Sequence, residues 1–135
     1  MNGLHLLADL QGCRLQQPAM TDASALAALC SAAVAAAGLT EVAVRFHAFE
    51  PVRAGEPAGV TGVVLLSESH LAIHTWPELG AVTLDVYVCN VDHDNSDKAR
   101  ALLQTLIDAF APQQSQVQSV QRGNKHADAT IGPNT

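Results

Sequence analysis

Six stretches of this chain carry a β pattern and only two carry a helical stripe, and that ratio narrows the possible folds more than any other feature. Residues 41–49 alternate, with Val42, Val44, Phe46 and Ala48 set against Ala43, Arg45, His47 and Phe49. Side chains on a strand change face at every residue, so this segment presents two different faces. Residues 4–10, 60–66, 69–76, 81–89 and 116–120 also read as strands, the 60–66 run being apolar and rich in β-branched residues. Gly12, the loop holding Pro51, Gly55, Pro57 and Gly59, and the turn from Pro77 to Gly80 separate them. The helical spacings are Leu26, Leu29, Cys30, Ala33 and Ala37 within 21–37, and Ala99, Leu102, Leu103, Leu106 and Phe110 between a cap at Asn95 or Ser96 and Pro112. Thr21 or Asp22 can cap the first helix and Gly38 stops it; Asn95 or Ser96 caps the second and Pro112 ends it.

A helix with one apolar stripe must bury that stripe against a neighbour. Two such helices and six strands are accommodated most economically as a two-layer α/β (α+β) sandwich, with a mainly antiparallel sheet and both helices on one face. The opposite face is then free for a ligand or a second subunit. A single domain over residues 1–123 is expected, followed by a polar, flexible tail at 124–135. Aromatic residues make up only 4% of the chain, so the core rests on Leu, Val, Ile and Ala and is thin, which favours dimerisation.

The net charge is −6 and Lys and Arg form no run, which argues against nucleic acid and anionic membrane as partners. Cys13, Cys30 and Cys89 are odd in number and include no CxxC pair, the usage of a reducing compartment. The opening MNGLHLLADLQG lacks the basic and long apolar regions of a secretory signal, and no apolar run nears the roughly 20 residues of a membrane span. A cytoplasmic location is expected.

Chemistry concentrates in residues 66–78, LSESHLAIHTWPE, with two Ser, two His, two Glu and the only Trp. A peptide bond that precedes Ser can rearrange. The Ser69 hydroxyl attacks the carbonyl of Glu68 to form an ester, and β-elimination then leaves dehydroalanine at the new terminus. Tautomerisation and hydrolysis release ammonia and leave a pyruvoyl group. A metal site on His70 and His74 is the rival reading, but HxxxH binds zinc best on a helix and this segment alternates like a strand, so no metal is expected. Cys13 and Cys30 read as small buried hydrophobes, and Asp9 and Asp85 stand in apolar strands where they need partners.

The segment closely resembles the processing-site motif of prokaryotic S-adenosylmethionine decarboxylases, and the resemblance runs through GLHLLADLQGC, FHAFEP, GVTGVVLLSESH, LDVYVCN and QRG. It implies self-cleavage between Glu68 and Ser69 into chains 1–68 and 69–135, with a pyruvoyl cofactor derived from Ser69. That ketone forms a Schiff base with the substrate amine and accepts the electrons left by carbon dioxide. The resemblance further implies that His74 assists processing, that Thr61 stands where the family has a processing Ser, and that Cys89 protonates the decarboxylated carbon. Phe49 and Trp76 would hold adenine and Glu78 the ribose hydroxyls, in an active site at a homodimer interface. The chain departs from the family at Thr61, at Ala81 where Tyr is usual, at Asn90 where Gly is usual, and in a longer 51–59 loop. The reaction implied is decarboxylation of S-adenosylmethionine to the aminopropyl donor of spermidine synthesis. The alternatives are a pyruvoyl-dependent decarboxylase of ornithine or arginine and a non-catalytic binding module.

Overall fold

All six strand patterns and both helical stripes fold as such in the computed structural model, which describes residues 2–123. The expected tail at 124–135 lies outside the described residues. In chain order the elements are β1 (Gly3–Gln11), α1 (Ala23–Ala36), β2 (Glu41–Ala48), β3 (Val60–Leu66), β4 (Ser69–Trp76), β5 (Ala81–Cys89), α2 (Ser96–Phe110) and β6 (Gln114–Arg122), with short 3-10 turns at Pro18–Met20 and Pro77–Leu79. The strands form one antiparallel sheet in the order β2-β3-β4-β5-β1-β6.

Alternation along the strands divides the sheet into two unlike faces. Leu4, Leu6 and Leu10 of β1, Leu71 and Ile73 of β4, and Val82, Leu84, Val86 and Val88 of β5 all point into the core. There they meet Leu26, Cys30, Ala33 and Val34 of α1 and Leu102, Leu106 and Phe110 of α2. Both helices therefore cover one face, α1 over β2 and β3 and α2 over β1 and β5. Val34 takes a core position that the helical stripe did not include, whereas Leu29 and Ala37 are only partly buried.

Of the two candidate caps for α1, Asp22 does the work: its carboxylate accepts from the N–H groups of Ser24 at 2.9 Å and Ala25 at 3.3 Å. At the end of α2 the non-glycine Ala111 takes the left-handed conformation, with φ 45°, just before Pro112. β6 extends beyond the expected 116–120 at both ends. It is an exposed edge strand rich in Gln and Ser, so it carries no apolar face that could mark its length. β2 is the other edge. Val42 and Val44 stay exposed there, and Phe46 alone reaches the core, over Gly62, where a Cβ would lie 2.1 Å from its ring.

One buried polar side chain ties the layers together. The Thr75 hydroxyl donates to the carbonyl of Met20 at 2.8 Å and accepts from the Val60 N–H at 2.8 Å. Thr75→Val keeps the shape but leaves both backbone groups unpaired inside the core. Each such orphan costs about 1–3 kcal/mol, so urea denaturation should show a loss of roughly 2 kcal/mol or more with an unchanged slope.

Candidate active site

The face away from the helices carries most of the residues picked out by sequence. Strand register orders them in rows. Cys89 lies beside Gly3, and Arg122 is on the far side of Gly3. The next row runs Leu65, His70, Tyr87, His5, Val120. Then come Val63, Ala72, Asp85 and Leu7, and after them His47, Thr61, His74, Thr83 and Asp9.

Two clusters of candidate residues stand at opposite ends of the β3–β4–β5 ladder. The first is built on the β3–β4 hairpin. Leu66 pairs with Ser69, so Ser67 and Glu68 form a two-residue loop. Glu68 has φ 59°, a left-handed conformation that costs a non-glycine residue about 1–2 kcal/mol. Ser69 follows directly, half-buried, and its Oγ accepts a 3.1 Å hydrogen bond from the backbone N–H of Cys89. The segment thus brings together the left-handed Glu68, the Ser69 hydroxyl and the backbone of Cys89. Cys13 and Cys30, by contrast, are buried, and burial pushes the Cys30 thiol up to about 12, as befits a packing residue.

The second cluster holds Thr61 and His74, whose Oγ1 and Nδ1 share a 2.6 Å hydrogen bond across the β3–β4 ladder. His74 is five residues beyond Ser69 on the same strand, about 16 Å away at the rise of a β-strand. One chain therefore does not bring His74 to its own Ser69. Beside the Thr61–His74 pair opens a cavity of about 760 Å³. Phe49, Trp76 and Glu78 all line it, as do residues of the 50–59 loop. Phe49 and Trp76 are 53% and 44% exposed, so two aromatic faces stand open to a ligand. The cavity has carboxylates at Glu50, Glu56 and Glu78 and no Lys or Arg in its lining.

Between the clusters lies a polar group that sequence reasoning only half found. Asp85, which needed a partner, receives two: His5 Nε2 at 2.8 Å and His70 Nε2 at 3.5 Å from the same carboxylate oxygen. Arg122 donates to His5 Nδ1 at 3.2 Å and lies over the Tyr87 ring at 5.3 Å. Three ligand-type atoms converge here. However, the Arg122 bond makes Nδ1 the acceptor, so neutral His5 carries its proton on Nε2, where a metal would have to bind. The residues thus form a hydrogen-bonded relay and not a ready metal site. His70 and His74, the pair weighed for metal, are about 13 Å apart along the strand. Asp9 is exposed and needs no buried partner.

Two of the departures from the family pattern find a structural place. Asn90 accepts at Oδ1 from the Asn95 N–H at 2.7 Å and donates to Ser96 Oγ at 3.1 Å, so its side chain shapes the start of α2. Ala81 pairs with Trp76 at the cavity end of the sheet, leaving the indole with a small neighbour.

Comparison with known proteins agrees with this arrangement. The family model for S-adenosylmethionine decarboxylase matches residues 4–123. The S-adenosylmethionine decarboxylase proenzyme of Methanococcus maripaludis is 36% identical over 121 residues, covering 90% of this chain and 89% of that protein. The proenzyme of the same name from Aquifex aeolicus is 37% identical over 121 residues, covering 90% of this chain and 81% of its own length. The crystal structure of the adenosylmethionine decarboxylase from Aquifex aeolicus superposes with a TM-score of 0.77 at 35% identity, covering 90% of this chain and 91% of that one. Matches of this extent, over the strands that carry Ser69, His74 and Cys89, establish that the chain belongs to the S-adenosylmethionine decarboxylase family.

Proposed function

We propose that this chain is the proenzyme of a pyruvoyl-dependent S-adenosylmethionine decarboxylase, that it cuts itself between Glu68 and Ser69, and that two copies together complete each active site. The observation that carries the reading is the hairpin: a hydroxyl directly after a left-handed Glu68, held against the backbone of Cys89, in a member of this family.

Ser69 fits the cofactor it would become. Its Oγ accepts from the Cys89 N–H, so that bond does not use the hydroxyl proton, which a base can take. The left-handed turn at Glu68 holds an unfavourable backbone conformation next to the bond to be broken. Once formed, the pyruvoyl ketone supplies an electron sink for decarboxylation. Cys89, half-buried beside it, is the proton donor to the carbon left behind. Phe49 and Trp76 clamp the adenine, Glu78 accepts from the ribose hydroxyls, and the acidic, aromatic cavity suits a sulfonium cation. The product is the aminopropyl donor of spermidine synthesis.

The dimer follows from where the two clusters stand. The Thr61–His74 pair and the Ser69–Cys89 pair lie at opposite ends of the β3–β4–β5 ladder, whose open face carries His74 and Cys89. A two-fold axis through the middle of that face sets each pair against the other pair of a second copy, with the sheets about 10 Å apart. Leu7, Val63, Leu65, Ala72 and Tyr87 supply apolar surface around the axis. His74 is then the base for the Ser69 of the partner subunit, with its ring held by Thr61. The free cysteines suit a reducing compartment, and we place the enzyme in the cytoplasm.

Four experiments test these points. Intact mass after incubation with cyanoborohydride should show two chains, 1–68 and 69–135, with an adduct on the second from S-adenosylmethionine and none from ornithine or arginine. Ser69→Ala should stay one inactive chain, and Cys89→Ala should cut itself yet turn over slowly or misplace the proton. Coexpressed Ser69→Ala and His74→Ala chains should complement, since a mixed dimer holds one intact site; about a quarter of wild-type activity is the statistical ceiling. No recovery would place the site within one chain. Glu68→Gly removes the left-handed penalty and should slow self-cleavage roughly fivefold, the equivalent of about 1 kcal/mol; unchanged cleavage in pulse-chase would assign no role to that strain.

A further inference from the structure

The 49–59 loop does more than connect β2 to β3. Its ends are pinned: the Phe49 N–H donates to the Gly59 carbonyl at 2.9 Å, extending the hairpin ladder by one step beyond the Ala48–Val60 pair. Its tip turns at Gly55, φ 84°, with the Glu56 N–H donating to the Arg53 carbonyl at 3.1 Å. Its base lies so close to β4 that a Cβ on Gly59 would sit 2.1 Å from the Thr75 carbonyl oxygen. A loop closed at both ends and packed on the sheet at its base stands as a rim beside the cavity, not as a tether. It supplies more than half of the cavity lining, including Val52, Glu56 and Pro57. Val52 is 96% exposed, an apolar side chain with nothing over it, at the rim of a cavity whose aromatic residues are also open. Glu56 faces only Arg53, at 3.9 Å, in a pair too exposed to hold it firmly.

We propose that this loop is the specificity-determining wall of the substrate cavity, in which Val52 closes the rim over the edge of the bound adenosine and Glu56 takes the sulfonium charge. The inference rests on the reading of the cavity as the S-adenosylmethionine site and adds to it the residues that select a cationic nucleoside. Leaving Arg53 for a sulfonium costs Glu56 little, because an exposed pair at that distance contributes little. A carboxylate near the cation in a cavity with no positive lining residue raises affinity for the charged ligand above that for its neutral analogue.

The test uses the full-length, self-cleaved enzyme and two variants. In one, residues 52–57 are replaced by two glycines, which the pinned ends of the hairpin allow; in the other, Glu56→Gln keeps the loop and removes its charge. Both should cut themselves normally by intact mass. The shortened loop should raise KM for S-adenosylmethionine about tenfold or more with kcat within about threefold, and weaken the uncharged analogue S-adenosylhomocysteine in parallel. Glu56→Gln should weaken S-adenosylmethionine several-fold and leave S-adenosylhomocysteine unchanged. An unchanged KM in the shortened, self-cleaved chain overturns the proposal alone. A wild-type enzyme that decarboxylates ornithine or arginine and ignores S-adenosylmethionine overturns both this proposal and the substrate reading.

Discussion

The strand register of the β3–β4–β5 ladder is the constraint on which everything else depends. A slip of one residue would send every side chain of β4 to the opposite face, putting His70, His74 and Trp76 into an apolar core and Leu71 and Ile73 into solvent. Thr75 guards against that slip from inside. It sits between two open-face residues, yet its own hydroxyl is buried and bonded to the Val60 N–H and the Met20 carbonyl. Only one register satisfies those partners. The same buried residue that joins the helical layer to the sheet therefore fixes which residues face the site.

Much of the fold was legible because the core is regular. Where the sequence alternates under a helix, as in 69–76 and 81–89, the strand limits match the structure to the residue. Legibility fails where burial fails. β6 reads QSQVQSVQR, pairs on one side only and buries nothing, so its length follows from its ladder with β1 and not from any pattern of its own. In α1 the stripe is Ala-rich, and small residues leave the buried face ambiguous. Val34 was missed because a helix made largely of Ala presents an almost equally apolar surface all round.

The candidate site residues Ser69, His74 and Cys89 were picked out by the resemblance of the chain to a family, and their layout was not legible. Their separation into two clusters depends on how many residues of one strand lie between them. Likewise no local pattern joins His5 to Asp85, 80 positions apart. They meet because β1 is inserted between β5 and β6, a topological fact invisible to any window along the chain. Asn90 illustrates the converse. It reads as a change next to a catalytic residue, but its amide is spent on the start of α2.

The sheet order would also let the chain be cut at the proposed bond without coming apart. A break between Glu68 and Ser69 assigns β1, α1, β2 and β3 to one piece and β4, β5, α2 and β6 to the other. In the sheet these strands interleave as β2-β3-β4-β5-β1-β6, so the pieces meet along three ladders, β3 with β4, β5 with β1, and β1 with β6. Strand β1 of the first piece is clasped on both sides by strands of the second. The helices add a further seam, since α1 and α2 pack against each other from opposite pieces. The cut would break one peptide bond next to an unfavourable backbone angle and leave a set of long-range contacts, none of which depends on that bond. The strained loop can thus be given up to chemistry because the strands on either side of it are secured by other neighbours.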